Sequence, residues 1–176
     1  MTDMSYLFDG MKKFNAPIDQ WNTSEVTDME GMFEGASSFN QPIMMDTSQV
    51  TTMRCMFDGA LSFNQPITMN TSKVTEMSYM FCDASSFNQP ITMDVSKVIN
   101  MSGMFHNASS FNQPVTMDTS KVTDMNEMFR GATSFNSPIT MKISNRTNMD
   151  NMFDGATAMT HPLPQTKEMI AVSNFF

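Results

Sequence analysis

The sequence predicts a repeat solenoid in which every rung carries one short parallel strand and one helical turn. Three observations predict it. Phe39, Phe63, Phe87, Phe111 and Phe135 recur 24 residues apart, with Phe14 25 residues before Phe39. A proline follows each of them three places on, at Pro17, Pro42, Pro66, Pro90, Pro114 and Pro138. A Val-x-x-Met-x-x-Met-Phe segment precedes most of them, as at Val98 to Phe105. Self-similarity at a constant period marks stacked supersecondary units that each bury their apolar side against their neighbours.

The chain begins inside this pattern. Thr2 to Phe8 matches Thr75 to Phe81, with Met1 in the place of Val74, so the first rung is incomplete and a segment cut from a longer protein is the expected origin. Val98, Met101 and Phe105 stand at i, i+3 and i+7 with Met104 beside them, which places them on one side of a short helical turn. Asp118-Thr119-Ser120 and its equivalents precede such turns and offer N-cap oxygens. Gly35, Gly59 and Gly131 can end the turn in a left-handed conformation, and Asp83 and Asn107, which replace glycine there, tolerate it best. In the strand, Phe87, Ile91 and Met93 alternate with polar neighbours such as Thr92. Pro90 at its start lacks a donor, so pairing begins after it and the ladder is narrow. The expected solenoid spans residues 1–163, about seven rungs, and 164–176 forms a C-terminal cap after the break at His161-Pro162-Leu163-Pro164.

Composition narrows the function. Charged residues are 16% of the chain and the net charge is −8, which disfavours a nucleic-acid binder that needs a basic stripe. No apolar run reaches the ~20 residues of a membrane helix, so membrane insertion of this segment is not expected. Cys55 and Cys82 occupy different repeat positions, one rung plus three residues apart, and are expected to be free thiols.

The motif Val-Thr-Asp-Met-x-x-Met-Phe-x-Gly-Ala-x-Ser-Phe-Asn-Gln-Pro-Ile resembles the BspA-like repeat of surface lipoproteins in mycoplasma, Listeria and lactobacilli. The resemblance runs from residue 2 to about 163. It implies a leucine-rich-repeat-like solenoid displayed at a cell surface or outside the cell, with adhesion as a role. Asn-Trp-Asp-Thr-Ser, common after the strand in that family, survives only as Gln20-Trp21-Asn22-Thr23-Ser24, and Met45, Met69, Met93, Met117 and Met141 take the Trp place in later rungs with one residue deleted.

Several residue sets invite chemistry. Repeated Met-x-x-Met, as at Met29 and Met32, has the thioether spacing of copper(I) sites, but columns of methionine beside phenylalanine are expected to pack the core. The position after Met-Phe reads Glu34, Asp58, Cys82, His106, Arg130, Asp154, which makes Cys82 and His106 rung neighbours and a candidate nucleophile pair or partial zinc site. That column changes chemistry at every rung, as a solvated face does, so no catalytic residue, cofactor or metal ligand is assigned and the chain is not expected to be an enzyme. Lys73, Lys97 and Lys121 make a basic column that Glu76 and Asp124, three residues on, are expected to neutralise in pairs. Glycosylation sequons occur at Asn22, Asn70, Asn100, Asn107 and Asn145.

The outward strand column is the candidate ligand-binding face: Thr68, Thr92, Thr116 and Thr140, flanked by Gln65, Gln89 and Gln113 on one side and Asn70, Asp94 and Asp118 on the other. Amides, hydroxyls and carboxylates at one-rung intervals can bond a polypeptide or a glycan; equally, they can satisfy one another between rungs. The expected function is partner binding of an adhesion type. The alternatives are a structural protein that stacks end to end and, from the Thr ladder with its second rank at Thr47, Thr71, Val95, Thr119 and Ile143, ice binding.

Overall fold

The computed structural model describes residues 1–160. The expected cap at 164–176 lies outside the described residues, as does the break at 161–164. Successive 24-residue units run side by side in parallel register. Isolated bridges join Asp3 to Asp28, then Thr52, Glu76, Asn100, Asp124 and Asn148 in one continuous line. On another side of each unit, β1 (Val115–Met117) pairs in parallel with β2 (Ile139–Met141), with Val115, Thr116 and Met117 opposite Ile139, Thr140 and Met141. The corresponding segments at Ile43, Ile67 and Ile91 keep the same buried, exposed, buried alternation without the full ladder.

The expected helical turn is not a helix, and there is no helix among the described residues. From Met29 to Ala36 the N–H groups alternate between the next unit and their own, where that of Glu30 donates to Asp28 Oδ1 at 2.9 Å. Those of Met32, Glu34 and Ala36 donate to the carbonyls of Met29, Gly31 and Phe33, three residues back, at 3.3, 3.0 and 3.0 Å. Those of Met29, Gly31, Phe33 and Gly35 leave the unit and donate to the carbonyls of Thr52, Arg54, Met56 and Asp58 at 3.2, 2.8, 2.9 and 2.7 Å. An α-helix needs every N–H for its own carbonyl four residues back; here half of them hold the next unit instead. Successive tight turns keep the burial that the spacing predicted, with Val98, Met101, Met104 and Phe105 all at 0% exposure.

Two left-handed residues per unit make this chain of turns possible. One column is the expected one, with φ of 64°, 65° and 66° at Gly35, Gly59 and Gly131 and 51° and 54° at Asp83 and Asn107. The other was not foreseen and runs through Tyr6, Gly31, Cys55, Tyr79, Gly103, Glu127 and Asn151. Each residue of this second column is the third of a four-residue turn, where positive φ is the mark of a type II turn. Glycine enters it where a tyrosine stands one unit earlier. The Tyr6 ring lies over Gly31 and the Tyr79 ring over Gly103, so closely that a methyl group at either glycine would overlap the ring. Gly103→Ala is therefore expected to lower the urea midpoint by the equivalent of about 1–3 kcal/mol, from left-handed strain plus ring displacement. Tyr79→Ala in the same chain should recover the steric part, and a double variant no more stable than Gly103→Ala alone would count against this packing.

The core is two files of phenylalanine flanked by methionine. Phe8, Phe33, Phe57, Phe81, Phe105, Phe129 and Phe153 stack with centroids 5.4 to 5.7 Å apart. Phe14, Phe39, Phe63, Phe87, Phe111 and Phe135 form a second file at 5.8 to 6.0 Å. Within a unit the two rings meet face to face, at 4.0 Å for Phe57 and Phe63. Near-parallel offset rings at these separations are favourable beyond their buried area. The methionines expected in the core are there: Met29, Met53, Met77, Met101 and Met125 are at 0% exposure, as are Met32, Met56, Met80, Met104 and Met128.

Candidate functional site

Each strand-side segment turns its isoleucine or valine and its methionine inward, which leaves Thr68, Thr92, Thr116 and Thr140 exposed between buried neighbours. The structure thus brings these four into the expected column. It gives their hydroxyls two different states. Thr68 Oγ1 donates to the Ile43 carbonyl at 3.1 Å and Thr92 Oγ1 to the Ile67 carbonyl at 3.5 Å. No side-chain hydrogen bond is formed by Thr116 or Thr140 among the described residues, and these are the two threonines of the β1–β2 pair.

The flanking residues are largely committed to the fold. Gln65 Nε2 donates to the Asn40 carbonyl and Oδ1 at 3.1 and 3.2 Å, Gln89 Nε2 to Asn64 Oδ1 at 3.1 Å, and Gln113 Nε2 to the Asn88 carbonyl and Oδ1, both at 3.1 Å. Behind this lies an asparagine ladder that sequence reasoning missed. The Oδ1 atoms of Asn15, Asn40, Asn64, Asn88 and Asn112 accept from the backbone N–H of Asn40, Asn64, Asn88, Asn112 and Asn136 at 2.8 to 2.9 Å. An asparagine after every Phe of the second file was the available signal. On the other flank, Asn70, Asp94 and Asp118 accept from the N–H of Ser72, Ser96 and Ser120 two residues on, at 3.0, 2.9 and 3.2 Å. The Lys142 ammonium, 2.7 Å from Asp118 Oδ2, joins Ser120 in holding that carboxyl down at about 2.

The second threonine rank does not lie on a surface. Thr47, Thr71 and Thr119 are at 2%, 2% and 0% exposure, and their hydroxyls donate to the carbonyls of Asn70, Asp94 and Lys142 at 3.0, 2.9 and 2.7 Å. Val95 and Ile143 of that rank are buried too. A flat two-rank array for ice is therefore not formed.

On the turn side, the Cys82 and His106 pair does not assemble as a nucleophile and its base. Cys82 Sγ lies 3.6 Å from Asp83 Oδ2, and burial followed by the charges of Asp58 and Asp83 pushes the thiol well above its ordinary range, the reverse of activation. His106 Nδ1 faces Glu127 Oε2 at 3.4 Å without a hydrogen bond, and Glu127 is held instead by Arg130 Nη1 at 2.7 Å. Ligand atoms of Asp58, Cys82 and Asp83 come within 4.8 Å of one another; Asp58 and Cys82 are neighbours in the column that the sequence put forward, and Asp83 takes the place expected of His106. Cys55 and Cys82 are free, as expected; both are buried, which for Cys82 departs from the solvated face expected of its column, and burial pushes Cys55 up to about 11. Iodoacetamide at pH 8 should leave both unlabelled in the folded chain and label both in urea; rapid labelling of folded Cys82 would contradict this environment. Lys73 bonds Gln49 Oε1 at 2.6 Å in the next unit back, and the expected Lys73–Glu76 and Lys121–Asp124 ion pairs are not among those formed by the described residues.

Asp58 is half buried, and that burial is the main reason its carboxyl is pushed up to about 6. A carboxyl raised above its unfolded value stabilises the fold when protonated, so its contribution is complete below about pH 4 and disappears as pH rises through about 6. Asp58→Asn should therefore raise stability at pH 7 to 8 by on the order of 1 kcal/mol, after allowance for solvent screening, and by nothing near pH 4. Thermal melts of both chains at the two pH values measure this, and an equal gain at both would refute it.

No helix among the described residues is long and apolar enough to cross a membrane. Neither a curated protein nor a solved structure matches the chain. The profile of a tandem-repeat family described as Mycoplasma protein of unknown function, DUF285, matches residues 1–93 and, overlapping them, residues 68–166, and the chain belongs to that family.

Proposed function

We propose that the chain is a non-catalytic solenoid of the BspA-like type, displayed at a cell surface or outside the cell, which binds a protein or glycan partner through its strand side. The single observation that carries this reading is the state of Thr116 and Thr140. Their hydroxyls are exposed, one unit apart and without side-chain hydrogen bonds among the described residues, whereas Thr68 and Thr92 donate to backbone carbonyls. A hydroxyl with both donor and acceptor capacity can bond a peptide group or a sugar hydroxyl. The glutamine flank contributes less than its composition promised, because Gln65, Gln89 and Gln113 already clamp adjacent units.

The test is capture of partners from cell-surface extracts by three chains: the native one, Thr116→Lys/Thr140→Lys, and Thr68→Lys/Thr92→Lys. A partner held by the native chain and lost tenfold or more in the first variant, with a smaller loss in the second, supports the reading. Equal retention by all three chains would refute this face as the binding site.

A further inference from the structure

Five sequons stand in the chain, and the structure sorts them. Asn22 and Asn70 occupy the same place in their units, just after the strand side, and both are exposed. In each, the serine hydroxyl two residues on donates to the asparagine's own Oδ1, Ser24 Oγ to Asn22 at 2.9 Å and Ser72 Oγ to Asn70 at 2.8 Å. The middle residue fixes the turn from below. Thr23 and Thr71 are at 2% exposure and donate to the carbonyls of Asp46 and Asp94, each at 2.9 Å. Neither Asn22 nor Asn70 uses its Nδ2 hydrogens in a bond among the described residues.

The other three are engaged differently. Asn100 Nδ2 donates to Glu76 Oε2 at 3.4 Å, and its serine, Ser102, is buried at 6% exposure. Asn107 is held in the left-handed conformation with Nδ2 on Asp83 Oδ1 at 3.0 Å. At Asn145 the hydroxyl of Thr147 donates to the Val122 carbonyl at 2.8 Å instead of to the asparagine. A sugar on Asn100 or Asn107 would break contacts between units; on Asn22 or Asn70 it breaks none.

We propose that Asn22 and Asn70 are acceptor sites for N-linked glycans. The donor class is an oligosaccharide on a lipid diphosphate. Asn Nδ2 forms a bond to the sugar's anomeric carbon, the bond from that carbon to the diphosphate oxygen breaks, the lipid diphosphate leaves with the electron pair, and one amide proton passes to a base. The serine hydroxyl on Oδ1 polarises the amide and eases loss of that proton. Asn70 and Thr68 are exposed on either side of buried Met69, so a glycan on Asn70 stands beside the Thr68 end of the strand side. The proposal rests on the extracytoplasmic location proposed above, which the test supplies by itself.

The full chain is secreted from a eukaryotic host behind a cleavable signal, and the folded monomer is treated with peptide-N-glycosidase in heavy-oxygen water. Labelled aspartate is expected at positions 22 and 70, with none at 100, 107 or 145. Asn22→Asp/Asn70→Asp is the companion variant, since Asp46, Asp94 and Asp118 already hold the same position and accept from the N–H of the serine two residues on, as Asn22 and Asn70 do. It should secrete with an unchanged urea midpoint and without glycan mass. An unlabelled native chain, label at Asn100, Asn107 or Asn145, or glycan persisting in the variant would each overturn the proposal. The result is read by mass alone, so failure to capture a partner leaves it unaffected.

Discussion

Phe105→Ala is expected to be among the most damaging single substitutions in the stack, with a loss of about 3–5 kcal/mol. Phe105 is at 0% exposure and stacks on Phe81 at 5.7 Å, Phe129 at 5.5 Å and Phe111 at 4.2 Å. Truncation removes the ring from both neighbouring units at once and leaves a cavity that bonded turns on either side cannot close. Because each unit touches only its neighbours, the damage should also split the cooperative unit. Urea unfolding of the variant should broaden or resolve into two steps, one for each side of the gap, while the native chain unfolds in one. Phe153→Ala, with Phe153 only partly buried, is the comparator and should cost less. A single sharp transition shifted equally by both substitutions would refute the picture of a file whose interior members matter most.

The second large effect is expected from Asn88→Ala, at about 1–3 kcal/mol, although the side chain is polar and lies outside the phenylalanine files. Its Oδ1 accepts from the Asn112 N–H at 2.9 Å and from Gln113 Nε2 at 3.1 Å, and its own N–H donates to Asn64 Oδ1 at 2.9 Å. The backbone bond to Asn64 survives in alanine. The Asn112 N–H loses its acceptor and Gln113 Nε2 keeps only the Asn88 carbonyl, and a donor left unmet costs more than the net worth of the bond it made. Asn88→Asp at pH 7 restores an acceptor and should recover much of the loss, whereas Asn88→Leu should not. Chemical denaturation of the three variants decides it: equal losses in all three would mean that side-chain volume, and not the acceptor, is what the position supplies. The capture experiment on Thr116 and Thr140 is cleaner for this reason, since those hydroxyls hold no neighbour.

How much was legible in the chain differs from element to element. The unit length, the two phenylalanine files and the three methionine columns could be read directly, because burial follows the period of the pattern and each unit repeats its neighbour's solution. The alternation at Ile67-Thr68-Met69 and the left-handed positions at Asp83 and Asn107 could be read for the same reason: exposure and positive φ are properties of single residues. The helical turn could not. Its i, i+3, i+7 spacing fits a helix and fits a chain of tight turns equally well, and what separates them is the destination of the N–H groups of Met29, Gly31, Phe33 and Gly35, which lies one unit away.

The same distinction governs the candidate site. The repeat period and its alternation identified a column of threonine, glutamine and aspartate on the strand side. Which of those groups remains open to a partner depends on contacts across 23 to 25 residues: Gln65 on Asn40, Thr68 on the Ile43 carbonyl, Thr71 on the Asp94 carbonyl. The sequence by itself determined the repeat, its period and the inward columns, since hydrophobic patterning is written locally and repeated. Only the tertiary structure decided which polar groups bond the next unit and which, like Thr116 and Thr140, remain exposed without such a bond, because a hydrogen bond needs its partner's position and that position is set by stacking.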